Sequence, residues 1–190
     1  MRKKTQKPEH RTAKPKPEPP KPNKTATGAT ENKMGEKEAT GHQQFWLLKT
    51  EPGEWSWEDQ AANGGITKWD GVKNKQAQKY LKSMKLNDLC FFYHSGARAR
   101  RVVGVVNVER EWYEDDGGVA VDVRAVGEMR MMVDLKEMKE DGGLKDFQLL
   151  KQPRLSVVPV SEDVWKRICE LGDGFEGDAR NDKDGASDED

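Results

Sequence analysis

Two short stretches of this sequence carry residues whose types and spacing could do chemistry. Trp69-Asp70-Gly71-Val72-Lys73-Asn74 brings together an indole ring, a glycine that permits close backbone approach and the free amides that open a helix. Tyr93-His94-Ser95 follows four apolar residues, Leu89 to Phe92, at the point where a strand covered on both sides would emerge from the core. Together they are suited to holding a flat, polar ring. A flipped nucleotide asks for such a set: an aromatic or apolar wall, hydrogen-bonding groups for the Watson–Crick edge, and cations for the flanking phosphates. Trp69 can supply the wall, and Lys49, Glu51, Asn74, Ser95 and Ser156 the polar contacts. Lys73, Lys75, Arg98, Arg100 and Arg154 can supply the cations. Stacking contributes about 1 to 3 kcal/mol, comparable with what extruding a base costs, so phosphate contacts are needed as well and affinity should fall with salt. Burying one extra methyl adds only about 0.8 kcal/mol, roughly fourfold in affinity.

Enzymatic constellations are thin. Of three histidines, His10 and His42 lie in the amino-terminal segment, which leaves His94. The sequence holds no paired-cysteine zinc spacing, no H-E-x-x-H, no glycine-rich phosphate loop and no G-x-S-x-G elbow, so no metal and no cofactor is expected. His94 and Ser95 are adjacent strand residues that point to opposite faces and are poorly placed to act as base and nucleophile. The same alternation lets Lys49 and Glu51 point one way and Leu48 and Thr50 the other. Cys90 and Cys169 show no framework of spacings, and a reducing compartment with two buried thiols is the simpler reading.

Several elements must position these residues. Ala77, Tyr80, Leu81 and Met84 recur at helical spacing on one face, and Lys75, Lys79 and Lys82 fall largely on the other. Asn74 can cap this helix, and Asn87-Asp88 marks the turn into the strand that follows. Phe45 to Lys49 reads as the first strand, stopped by Thr50-Glu51-Pro52-Gly53. Ser56-Trp57-Glu58-Asp59 has the pattern of a capping box and opens a short helix ending near Asn63-Gly64-Gly65, with Trp55 and Trp57 packing at this corner. Arg101 to Tyr113 and Val119 to Val126 alternate as strands of a hairpin joined through Glu114-Asp115-Asp116-Gly117-Gly118. Met129, Met131 and Met132 read as adaptable core filling before a helix capped by Asp134. Arg154 to Val160 is expected to be the last strand, and Ser161 the cap of a final helix that ends at Gly172.

Composition divides the chain into three. Residues 1–44 carry 11 Lys or Arg against 5 Glu, six of the nine prolines and no Phe, Trp or Tyr, so they cannot bury enough surface to offset the entropy of ordering. A disordered basic tail is expected there, serving nuclear import or attraction to phosphate. Residues 173–190 hold 8 acidic against 2 basic side chains and read as a disordered acidic tail. Residues 45–172 contain all six tryptophans and make one domain. No apolar run reaches the roughly 20 residues that cross a bilayer, so no membrane partner is expected.

The segments W-D-G-V-K-N-K-Q-A, F-F-Y-H-S, W-L-L-K-T-E-P (Trp46 to Pro52) and R-L-S-V (Arg154 to Val157) stand in an order that resembles the EVE domain, in particular its thymocyte nuclear protein branch. The resemblance covers most of residues 45–172. It implies an α+β, PUA-like twisted β-barrel flanked by short α-helices, shared with base-reader domains such as YTH. It implies a pocket for one modified base, modified cytosine (5-methyl or 5-hydroxymethyl) in DNA leading and modified RNA as the alternative; with the basic tail and the thin enzymatic constellations, a nuclear, non-enzymatic, monomeric reader is expected. It places pocket roles on Lys49, Glu51, Trp69, Gly71, Val72, Asn74, Gln76, Tyr93, His94, Ser95, Leu155 and Ser156. The sequence departs from the family where arginine is commoner than Lys73, tyrosine than Lys75, and arginine than Gln78; lysine cannot make the bidentate fork of arginine. A further alternative is an amidohydrolase acting on modified cytidine, since Lys49-Thr50-Glu51 resembles the lysine, threonine and glutamate of an ASCH-type enzyme, with Thr50 as nucleophile.

Overall fold

The computed structural model describes residues 43–62 and 64–178. The expectations for the basic amino-terminal arm and for most of the acidic end therefore lie outside the described residues.

Six strands, β1 (Phe45–Thr50), β2 (Ile66–Trp69), β3 (Leu89–Ser95), β4 (Arg100–Asp115), β5 (Gly118–Asp134) and β6 (Val157–Val160), form one sheet in the order β2-β5-β4-β3-β1-β6. β1 runs parallel to β3 and every other pairing is antiparallel. The parallel register sets Trp46 beside Cys90, Leu48 beside Phe92 and Thr50 beside His94. Alternation then gives the opposite face to Phe45, Leu47 and Lys49, beside Leu89, Phe91 and Tyr93. Both faces are covered, which is why β3 reads as a continuous apolar run. On one side lies α5 (Glu162–Leu171), whose Trp165 ring stacks on Phe91 at 4.0 Å and on Phe45 at 4.5 Å. On the other lie α1 (Trp57–Ala62) and α2 (Lys75–Ser83), with Trp57 edge-on to Phe92 at 5.4 Å and Tyr80 tilted on Trp46 at 5.9 Å.

Helix α2 packs against β6, β5 and β4. In a flat sheet β5 and β6 would stand four strand spacings apart, about 19 Å, whereas a helix with its side chains is only about 10–12 Å across. The sheet must therefore curl around α2. Its edge strands β2 and β6 do not pair, so the architecture is a twisted, barrel-like α+β fold with the helix seated in the gap. Irregularities in the β3–β4 and β4–β5 ladders bend the long hairpin that forms the wall. Gly104 lies on this wall, where a Cβ would stand 2.5 Å from the Trp57 ring. At the hairpin tip Asp116 and Gly117 both take positive φ, the conformation a two-residue type I′ turn requires.

Local signals in the sequence are realised at most element ends. Ser56 Oγ accepts from the Asp59 amide at 3.1 Å while the Asp59 carboxylate accepts from the Ser56 amide at 3.0 Å, a reciprocal capping box. Asn74 caps α2, and Ser161 Oγ accepts from the Val164 amide at the start of α5. Asp134 precedes α3 (Leu135–Glu140) as expected, yet caps no amide; its carboxylate lies 3.1 Å from Arg101 instead.

Four features differ from the sequence reading. Ile66–Trp69, not read as a strand, is edge strand β2, and β5 continues past Val126 to Asp134. This extension buries Met129 but leaves Met131 and Met132 exposed, so the methionines are not one core cluster. β6 begins at Val157 rather than Arg154, because the Leu155 amide turns back onto the Gln152 carbonyl after α4 (Gln148–Lys151). Packing also runs past Gly172: Phe175 is buried edge-on to Trp165, and the Gly174 carbonyl accepts from the Arg130 amide.

Candidate functional site

An open groove of about 680 Å³ lies at the seam between α2 and the chain entering β6. Asn74, Gln76 and Tyr80 line one bank and Gln152, Pro153, Arg154 and Leu155 the other. The helical bank follows from capping. Asn74 Oδ1 accepts from the Gln76 and Ala77 amides at 2.8 and 3.0 Å, so the carbonyl end of this side chain is committed and its amide nitrogen is the part left to a ligand. Tyr80, one turn on, leans on Trp46 from the core side. On the far bank Leu155 is buried, whereas Arg154 is exposed and forms no ion pair among the described residues.

Lys49 ties this far bank to the sheet. Its ammonium donates to the Pro153 carbonyl at 2.9 Å and its amide to the Ser156 carbonyl at 2.9 Å. Burial lowers its pKa to about 8, leaving it mainly cationic at neutral pH but easily discharged above it. Beyond Lys49 the two ends of β1 and β3 are joined by Ser95 Oγ donating to the Thr50 carbonyl at 3.1 Å. The Glu51 side chain is exposed, and its carbonyl accepts from the Glu54 and Trp55 amides in the turn. Tyr93 is buried on the Lys49 face, where burial pushes its phenol up to about 12. Thr50 faces the other way and donates to the Trp55 carbonyl at 3.2 Å, so hydroxyl and ammonium are turned to opposite sides of the strand.

Trp69 and His94 sit on the inner face around Phe92. The Trp69 ring meets Phe92 edge-on at 5.7 Å and is only 8% exposed; Phe92 is also met by Trp57 and, at 5.7 Å, by His94. Trp69 thereby anchors the end of β2, from which Asp70 to Asn74 lead into the groove. His94 is 9% exposed, and no described residue gives its Nε2 a hydrogen bond. Burial holds its pKa below the usual 6.5, a shift opposed by Glu58 and reinforced by Arg101. Gly71 is exposed with φ of +70°, and Val72 is half-buried with its carbonyl accepting from Gln78 Nε2 at 2.7 Å. Lys73, Lys75, Arg98 and Arg100 are exposed.

Thus Asn74, Gln76, Arg154 and Leu155 come together in the groove, with Lys49 and Ser156 fixing its far bank. Trp69 and His94 belong to the inner aromatic cluster, while Glu51, Tyr93, Ser95, Arg98 and Arg100 gather where β1 and β3 end. Sequence reasoning passed over Tyr80, Gln152 and Pro153 as groove residues. Tyr80 was legible as an amphipathic helix position, but Gln152-Pro153 carries only a turn signal. It also passed over buried Gln60, which accepts from the Trp55 indole and donates to the Gly65 carbonyl, and Asp88, which accepts from the Trp46 indole at 2.9 Å. Among the described residues no three His, Cys, Asp or Glu side chains are grouped to hold a metal.

Comparison with known proteins places this arrangement. The model of the EVE domain family matches residues 44–171. Thymocyte nuclear protein 1 of Mus musculus is 32% identical over 164 residues, spanning 67% of this chain and 73% of the mouse protein. Its Homo sapiens counterpart is 29% identical over 186 residues, 78% of this chain and 80% of that protein. Among solved structures, a protein of Agrobacterium tumefaciens superposes with a TM-score of 0.66 at 38% identity, covering 69% of this chain and 94% of that one. Human THYN1 protein in complex with 5-methylcytosine-containing DNA superposes with a TM-score of 0.64 at 28% identity, covering 68% and 97%.

Proposed function

The chain belongs to the EVE domain family, and from that premise we propose that it is a non-enzymatic nuclear protein that binds nucleic acid and receives a modified cytosine of DNA in the groove between α2 and β6. The observation that carries this reading is the make-up of the groove. Its banks offer the amides of Asn74, Gln76 and Gln152 for a base edge, the Tyr80 ring and Leu155 for its flat faces, and Arg154 for a phosphate. Lys49, Ser156, Trp69, Gly71 and Val72 hold the banks in place from behind. Glu51 and Ser95 extend the polar surface along the strand ends, with Tyr93 and His94 buried beneath them on opposite faces of β3, and Lys73, Lys75, Arg98 and Arg100 supply further charge for the backbone. The relative crystallised with 5-methylcytosine-containing DNA supports cytosine over other bases. The opposed directions of Thr50 and Lys49 favour binding over amide hydrolysis.

The test is titration of the full chain with short oligonucleotides that differ at one cytosine, unmodified, methylated or hydroxymethylated, read by tryptophan fluorescence at two salt concentrations. A methylated cytosine should bind more tightly by about fourfold, the worth of one buried methyl. The preference should survive the higher salt and disappear in Gln76→Ala, whereas Arg154→Gln should weaken binding of all three alike. Equal affinity for all three cytosines would refute base reading and leave only phosphate attraction.

A further inference from the structure

Helix α2 carries a second surface that the groove does not use. From residue 71 to residue 87, between Asp70 and Asp88, the chain holds five lysines and no acid. Ala77 and Leu81 face the core and Gln76 and Tyr80 the groove, so Lys75, Lys79 and Lys82 share the outer face. Lys75 and Lys79 form no ion pair among the described residues. Lys85 is the one lysine of the five bound to a described carboxylate, that of Glu111 at 3.2 Å. At the end of this face Lys82 places its ammonium 4.7 Å from the Trp112 ring, which belongs to β4 and remains 40% exposed. An exposed indole at the end of a row of lysines is the arrangement that binds single-stranded nucleic acid: cations along the backbone and an aromatic face for an unpaired base.

Resting on the reading of the groove as a base site, we propose that the outer face of α2 and Trp112 form a track for the strand flanking that base. Lys79 and Lys82 contact successive phosphates and Trp112 stacks on a base beyond them. The helix of nine residues is about 13 Å long, so groove and indole are separated by the span of a short oligonucleotide rather than by the width of the molecule. Charge selects the occupant. Uninterrupted lysines with no acid between them repel a basic partner and attract a polyanion.

The full chain is titrated with fluorescently labelled single-stranded DNA of about 4 and about 12 nucleotides, within the range of site sizes of extended single-strand grooves, each carrying one central 5-methylcytosine. The parent should bind the longer strand more tightly. Trp112→Leu should lose about five- to hundred-fold on the longer strand and little on the shorter, with Trp112→Phe restoring most of the loss. The double variant Lys79→Gln/Lys82→Gln should reduce the salt dependence of the longer strand by about 1.4 in log–log slope, the value for two phosphates. Thermal unfolding of each variant reports whether the fold is retained. If all variants bind both lengths as the parent does, or lose both lengths equally, the track is wrong while the groove reading stands. If the parent binds neither strand, both fall. A dimer in solution that covers Trp112 would also overturn the track.

Discussion

The inner face of the sheet at Phe92 and the seam between α2 and β6 draw on the same sequence motifs, yet they are built in opposite ways. Around Phe92 the side chains are closed in. Trp57, Trp69 and His94 each meet its ring, and all four are buried. At the seam Asn74, Gln76, Gln152 and Arg154 are exposed, and their polar atoms are largely unspent. The difference teaches that the aromatic members of a sequence motif can build the frame while its amides and cations stay at the surface. Trp69 does its part by fixing where β2 ends, and hence where the cap of α2 begins.

Substitutions should separate the two regions. Phe92→Ala removes the ring on which the inner cluster is arranged and should cost about 3–5 kcal/mol in denaturant unfolding, whereas Gln76→Ala should stay within about 0.5 kcal/mol of the parent. An unchanged midpoint for Phe92→Ala would erase the contrast. Asn74 belongs to both categories and can be split. Asn74→Ala should lose about 1 kcal/mol of stability with its cap. Asn74→Asp keeps the acceptor and suits the helix start, so it should melt like the parent yet bind oligonucleotides more weakly because it places a negative charge in the groove. An Asp variant that bound as well as the parent would remove Asn74 from the ligand surface.

The smallest effect concerns His94. Its folded pKa lies below the unfolded value of 6.5, so between the two the unfolded chain takes up a proton that the folded chain refuses. Stability should therefore fall as pH falls through 6.5 and the folded pKa. The urea midpoint of the parent should drop more than that of His94→Gln between about pH 7.5 and about pH 5.5, the difference between the two isolating this ring from the carboxylates. Equal drops would show that the ring is not held neutral by burial.

Legibility in the sequence followed the range of the interactions. The Asn74 cap, the Ser56–Asp59 box, the β3 run and the Asp116-Gly117 turn are written within a few residues and were readable there. β2 was not. Ile66-Thr67-Lys68-Trp69 is short, and it becomes a strand because β5 offers it a partner more than fifty residues on. The continuation of β5 to Asp134 was hidden by Gly127, a residue depleted in strands, which is required because the Glu176 carbonyl occupies the place of a Cβ. The site divided similarly. Asn74, Gln76, Arg154 and Leu155 lay in recognisable motifs, whereas Gln152 and Pro153 enter the groove only because Lys49 draws their loop onto the sheet across 104 residues.

That long reach has a consequence for how the protein comes into being. Among the described residues β1 is the first strand in the chain and lies between β3 and β6, so one of its flanks stays bare until β6, the last of the six, has left the ribosome. Non-local pairings of this kind close slowly, because a large loop must be ordered before any contact offsets it. Until β6 docks, Trp46 and Leu48 border an open sheet edge, and the far bank of the groove does not yet exist. A nascent chain can thus hold its aromatic frame before its groove is closed, and the groove is among the last features of the fold to be completed.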